Sequence, residues 1–198
     1  MTRNRIFAMS LIALATLAGC SSQPAKNALL ELFEQYEALG AVKVTLVTFN
    51  ASSSINKVWV DIAEAKTAVL GLSANGNTNY DAALINAITA FGQTGTSGGK
   101  LTGSDVQNVA YFLSDGLPNT PSGDAGISSD NGTATDWPTL YNDTSGNNNN
   151  ASEEQTWINF LKANQIQSYA LGMGTGVTAS ALNPIAYDGR VGGGNTNA

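Results

Sequence analysis

Apolar and polar positions alternate along the chain in two periods, one near 3.6 and one made of short continuous runs. Residues 6–19, IFAMSLIALATLAG, carry no charge at all. In 25–39 the residues Ala25, Leu29, Leu32, Phe33, Tyr36 and Leu39 fall on one helical stripe, with Pro24 before it and Gly40 after it as punctuation. Residues 42–49, VKVTLVTF, are β-branched and apolar enough for a largely buried strand, and 55–60 read as a second short strand paired with it in a hairpin. Asp61 is placed to cap a helix running to about Leu70, and a polar loop, 72–79, leads into a helix over 80–91. Residues 92–105 are rich in Gly, Thr and Ser and form a surface connection. Residues 107–113 are another buried strand, stopped by Ser114-Asp115-Gly116 and Pro118.

The stretch 117–151 has no periodicity and ends in four asparagines, 147–150. A helix over 152–164 follows, with Ser152 at its N-cap, then a strand over 166–172, a Gly-rich turn and a short helix near 178–186. Strands alternating with helices predict an α/β fold, a mainly parallel sheet covered by helices on both faces. Ligands of such sheets sit at the carboxyl ends of the strands, so residues just after a strand carry the most information. Asp115 is one of them.

Composition narrows the chemistry. The 198 residues include no His and one Cys, with 9 Lys+Arg against 15 Asp+Glu and a net charge of -6. Without imidazole there is no Ser-His-Asp or Cys-His relay and no His-ligated zinc. A single cysteine makes no internal disulfide, and the acidic balance argues against nucleic acid, whose phosphates are neutralised by Lys and Arg. What remains is oxygen chemistry: carboxylates, hydroxyls, amides and hard cations. A hydrolase built on Ser114 and Asp115 lacks a base and an activated nucleophile.

The amino-terminal run has two readings. Arg3 and Arg5 precede 6–19, which is too short to span a membrane as a helix, and the run ends in Leu17-Ala18-Gly19-Cys20. This resembles the leader and lipobox of a bacterial lipoprotein. The resemblance implies a signal peptide over 1–19, a lipid-bearing Cys20 and a tether over 20–24 before a domain over 25–189, and the Gly/Asn-rich composition of 190–198 predicts a flexible tail. It also implies export to an outer membrane or cell surface, with Ser21 favouring the outer membrane, and a membrane partner through the lipid anchor. Each buried CH₂ of such an anchor contributes about 0.8 kcal/mol. The other reading makes the run a buried strand and Cys20 an inert thiol.

The segments VKVTLVTFN, GNTNYDAAL, NVAYFLSDGLPN and SYALGMGTGVTASALNPIAYDG together resemble a von Willebrand factor A (VWA) domain of the type found in large bacterial adhesins. The resemblance covers about 25–189 and implies a Rossmann-like three-layer sandwich. It implies adhesion or protein–protein interaction, with a protein or other macromolecular surface ligand. It also implies a metal-ion-dependent adhesion site for Mg²⁺ or Mn²⁺, with Ca²⁺ an alternative. Thr78 and Asp115 match two of that site's ligands. The Asp-x-Ser-x-Ser of the family's first strand is missing; a forced alignment puts Ala18, Cys20 and Ser22 there, which leaves Ser22 as the one added hydroxyl. A further strand and helix after the carboxyl end are also missing, so an incomplete domain with a degenerate site is expected. The sheet then lacks its middle strand, unless 6–18 fills the gap.

Gly172-x-Gly174-x-Gly176 is not spaced as a nucleotide-binding turn. Asp124, Asp130, Asp136 and Asp143 could gather Ca²⁺ but do not follow the EF-hand spacing. Trp59 and Trp157 are expected in the core, and Trp137 is the one tryptophan placed in a loop.

Overall fold

The computed structural model describes residues 7–16, 22–73, 76–118, 153–173 and 175–192. Strands β1 (Phe7–Thr16), β2 (Gly40–Phe49), β3 (Ser53–Val60), β4 (Val106–Ser114), β5 (Ile166–Gly172) and β6 (Tyr187–Asp188) form one sheet. Helices α1 (Ser22–Glu37), α2 (Ile62–Leu70), α3 (Tyr80–Phe91), α4 (Glu153–Ala163) and the single-turn α5 (Ala179–Leu182) complete the described elements. The strand order is β3-β2-β1-β4-β5-β6. β1 pairs in parallel with both β2 and β4, and β4 pairs in parallel with β5. The two flanking pairs, β2–β3 and β5–β6, are antiparallel.

The expected gap in the sheet is therefore filled. Residues 7–16, the leader-like run, are its central strand. Leu11 lies opposite Val44 on one side and Val109 on the other. A parallel strand buried on both faces needs a continuous apolar run, because each face meets a helical layer. Met9, Leu11, Ala13 and Ala15 pack on the side of α1 and α2, with Leu29, Phe33, Ala65 and Val69. Ile12 and Leu14 pack on the side of α3 and α4, with Tyr80, Leu84, Phe112 and Trp157. Ser10, a polar residue inside the run, is buried, and its hydroxyl accepts the Leu101 N–H at 3.0 Å.

Local chemistry sets the other boundaries. The Asp61 carboxylate accepts the Glu64 N–H at 2.9 Å, capping α2 as expected, and the Asn79 side chain accepts the Ala82 N–H at 2.9 Å to cap α3. Leu39, placed on the α1 stripe by periodicity, falls beyond the end of the helix and is 54% exposed. Trp59 and Trp157 are both fully buried. Trp59 holds a left-handed φ of 49° inside β3, where the pairing with β2 shifts register. For a bulky residue this is an outlier. It is supported by the buried Thr45 hydroxyl, which accepts the Trp59 N–H at 3.2 Å, and by a T-shaped contact with Phe91 at 5.6 Å.

Candidate functional site

The carboxyl ends of β1, β2 and β4 lie at one end of the sheet, and the site is assembled there by the turns that follow. Asp115 is the first residue after β4. Thr78 lies two residues before the start of α3 and is 2% exposed. A Cβ at Gly116 would come within 3.0 Å of the Thr78 hydroxyl, so the 115–116 turn and the Thr78 loop are in van der Waals contact. The Thr78 loop and the turn after β4 thus lie side by side at this end of the sheet. The competing role for Thr78, capping α3, is taken by Asn79.

Three further contacts fix the turn. The Tyr80 hydroxyl donates to the Gly116 carbonyl at 2.7 Å and lies 3.1 Å from the Ser114 hydroxyl, which donates to the same carbonyl at 2.8 Å. After β5, a Cβ at Gly176 would come within 3.0 Å of the Asp115 carbonyl, so the glycine-rich turn packs against the backbone of the site. The Met173 N–H reaches the Ser114 carbonyl at 2.8 Å. Sequence reasoning missed Tyr80 and Ser114 as positioning groups. Their signal was the placement of a phenol at the first turn of a helix whose loop was already singled out.

One oxygen of the Asp115 carboxylate, Oδ1, is buried and has no hydrogen-bond partner. Removal from water pushes the Asp115 carboxyl above its usual range, opposed by a backbone hydrogen bond. Burial, the largest effect, together with the nearby Asp115 charge, pushes the Tyr80 phenol up to about 12, against a lowering hydrogen bond from Ser114. Tyr80 therefore stays a neutral donor at physiological pH. Asp81, in the first turn of α3, is fully buried, where the helix N-terminus favours negative charge.

Beside this centre, Leu117 is 44% exposed. At the carboxyl end of β2 a cavity of about 110 Å³ is lined by Thr48, Asn50, Ser52, Ser54 and Ser73 over Phe49 and Leu72. Ser114 is fully buried, and its hydroxyl donates to the Gly116 carbonyl.

A hard cation held at this turn would satisfy the Asp115 Oδ1, and the Thr78 hydroxyl is the other candidate oxygen of the two loops. The fit is partial, because Mg²⁺ takes six oxygens and no group of three or more His, Cys, Asp or Glu gathers among the described residues. Ser22 is the first residue of α1. Cys20, Trp137, Gly174 and the four loop aspartates at 124, 130, 136 and 143 lie outside the described residues. Among the described residues no helix is long and apolar enough to cross a membrane.

Tyr80→Phe tests the support of the site. Removing the hydroxyl leaves the Gly116 carbonyl with one donor fewer, and a stability loss of about 1–2 kcal/mol is expected in urea unfolding. An unchanged midpoint would show that the turn holds without it.

No family model matches this sequence, and no curated protein does. Solved structures do. Proximal thread matrix protein 1 from the mussel byssus aligns over 93% of this chain and 40% of its own, with 17% identity and a TM-score of 0.56. The same protein with a zinc-occupied MIDAS motif aligns over 94% of this chain and 40% of its own, with 18% identity and a TM-score of 0.58. The PilB minor pilin of Streptococcus sanguinis aligns over 84% of this chain and 50% of its own, with 13% identity and a TM-score of 0.48. The chain thus spans less than half the length of the byssus protein. At these identities the likeness is one of fold: a mixed six-stranded sheet flanked by helices, in the VWA-like arrangement.

Proposed function

We propose that this chain is a binding module for adhesion or protein–protein interaction, and that its ligand docks at the end of the sheet where the Thr78 loop and the 115–116 turn come together. The observation that carries this reading is the buried, unpartnered Asp115 Oδ1 beside the Thr78 loop. An unsatisfied buried acceptor lowers stability, and such groups collect where a ligand later satisfies them. The likeness to a mussel protein whose MIDAS motif holds zinc supports a cation as the ligand.

The cation proposed is Mg²⁺ or Mn²⁺, with Ca²⁺ as the alternative. Thr78 and Asp115 would hold it, Ser22 is the candidate third ligand, and the ion would supply an electrophilic centre for a carboxylate on the partner. With so few protein ligands the site is degenerate and its affinity low. The net charge of -6 suits a surface protein and disfavours nucleic acid as partner. An extracellular or envelope location follows the byssus likeness.

Mg²⁺ and Mn²⁺ titrations followed by thermal shift provide the test. At ten times the Kd a single site stabilises by about 1.4 kcal/mol, roughly 3–6 °C for a domain of this size. Asp115→Asn is expected to abolish that rise. Because the folded Asp115 carboxyl titrates above its unfolded value, the fold favours its protonated form. Stability from this group is greatest below the unfolded pKa and is lost as pH rises through the folded one. Asp115→Asn should therefore be at least as stable as the parent at pH 7 in EDTA. A parent that shows no cation response, with the variant no different, sinks the metal-dependent form. It leaves a second reading, a metal-independent scaffolding module, which the small ligand set favours.

A further inference from the structure

The residues of β1 satisfy demands that a leader does not make. The h-region of an export segment needs apolarity but no particular packing shape. This one fits a shape. It pairs with β2 from Phe7↔Gly40 to Thr16↔Phe49 and with β4 from Ala8↔Val106 to Ala15↔Leu113. Met9, Ser10 and Ile12 are 1% exposed, and Leu11, Ala13, Leu14 and Ala15 are not exposed at all. The two alanines face the side on which α1 and α2 pack, within the cluster that contains Leu29 and Phe33. Ser10, an unhelpful residue in a purely apolar leader, has a dedicated partner in the Leu101 N–H.

We infer that residues 7–16 are a permanent structural strand, and that folding of this domain and processing before Cys20 exclude one another. Hydrolysis of the Gly19–Cys20 bond would separate the central strand from the rest of the chain. It would expose the inner backbone groups of β2 and β4, which have no other partners in the sheet. Conversely, once β1 is inserted between its neighbours, the run is inaccessible to any export or processing machinery. The folded domain therefore keeps its amino-terminal segment, and a lipid-bearing Cys20 belongs to chains captured before the sheet closes. The inference stands apart from the proposed ligand site, since it concerns only which residues make up the folded chain.

The test uses the full-length chain, expressed with a carboxyl-terminal tag in a bacterium that processes lipoproteins. Intact-mass measurement of the cooperatively unfolding fraction should find residues 7–19 present and Cys20 unacylated. Ala13→Leu separates the two roles, because it improves the run as a leader and overpacks it as a strand. A fall in Tm of about 2–12 °C is expected, and complete failure to fold points the same way. Ser10→Ala is the milder check: it keeps the run apolar but strips the Leu101 N–H of its acceptor, and Tm should drop by a few degrees. A cooperatively folded species beginning at Cys20, or a Tm indifferent to both substitutions, overturns the inference.

Discussion

A chain that begins at Cys20 is expected to show no cooperative thermal transition. Its loss is the largest of any change considered for this protein, because β1 contributes to both hydrophobic layers at once. Met9, Leu11, Ile12 and Leu14 are all buried to within 1%. Full burial of such side chains contributes about 1.5–3 kcal/mol each, so the four together account for roughly 6–12 kcal/mol. That is comparable to the whole stability of an ordinary domain, about 5–15 kcal/mol. The backbone adds to the loss, since β2 and β4 each surrender a parallel ladder and gain only water. Far-UV circular dichroism should retain some helix from α1 to α4 while calorimetry shows a broad, featureless trace and a hydrophobic dye binds. A sharp transition within a few degrees of the parent's would mean that the sheet closes without its central strand.

Phe112→Ala should be the most damaging single truncation near the candidate site. Phe112 is fully buried in β4, with its ring 4.8 Å from Tyr80 in a T-shaped pair and 5.0 Å from Phe49. Phe-to-Ala changes in cores remove about 3–5 kcal/mol, a fall in Tm of roughly 6–20 °C for a chain of this length. The consequence reaches the site through Tyr80, whose hydroxyl holds the Gly116 carbonyl. Any cation response of the parent should weaken in the variant even at temperatures where it remains folded. Phe112→Leu, which fills most of the space, should recover most of the stability. If Phe112→Ala melts within a degree or two of the parent, the aromatic cluster is not what braces the 114–116 turn.

Much of the architecture could be read from local pattern. The caps at Asp61 and the strands over 42–49, 107–113 and 166–172 emerged within a residue or two of their structural limits, because apolar periodicity and punctuation act locally. The leader-like run was different. An uncharged apolar stretch satisfies a central parallel strand and an export segment equally well, and periodicity does not separate them. Ser10 and the alternation of small residues at Ala13 and Ala15 with larger ones at Met9, Leu11, Ile12 and Leu14 were the available clues, but their meaning depends on Leu101 and α1, distant in sequence. The short β6 was missed because two residues carry no period. Thr78 and Asp115 became candidates through resemblance, whereas the hydrogen bonds of Tyr80 and Ser114 exist only in the folded turn.

The turn around Gly95 bears on how copies of this chain behave together. β3 is an edge strand, and a Cβ at Gly95 would fall only 1.8 Å from the Val58 carbonyl, so the 95–98 turn lies directly across that edge. The two-residue pairing of Gly95 with Gly98 keeps the strap in place, with the Gly95 N–H donating to the Gly98 carbonyl at 2.9 Å. An incoming strand finds the Val58 carbonyl already covered, and sheet extension from that side is blocked. Where many copies share a small volume, this one glycine helps keep the sheet of one copy from pairing with that of another.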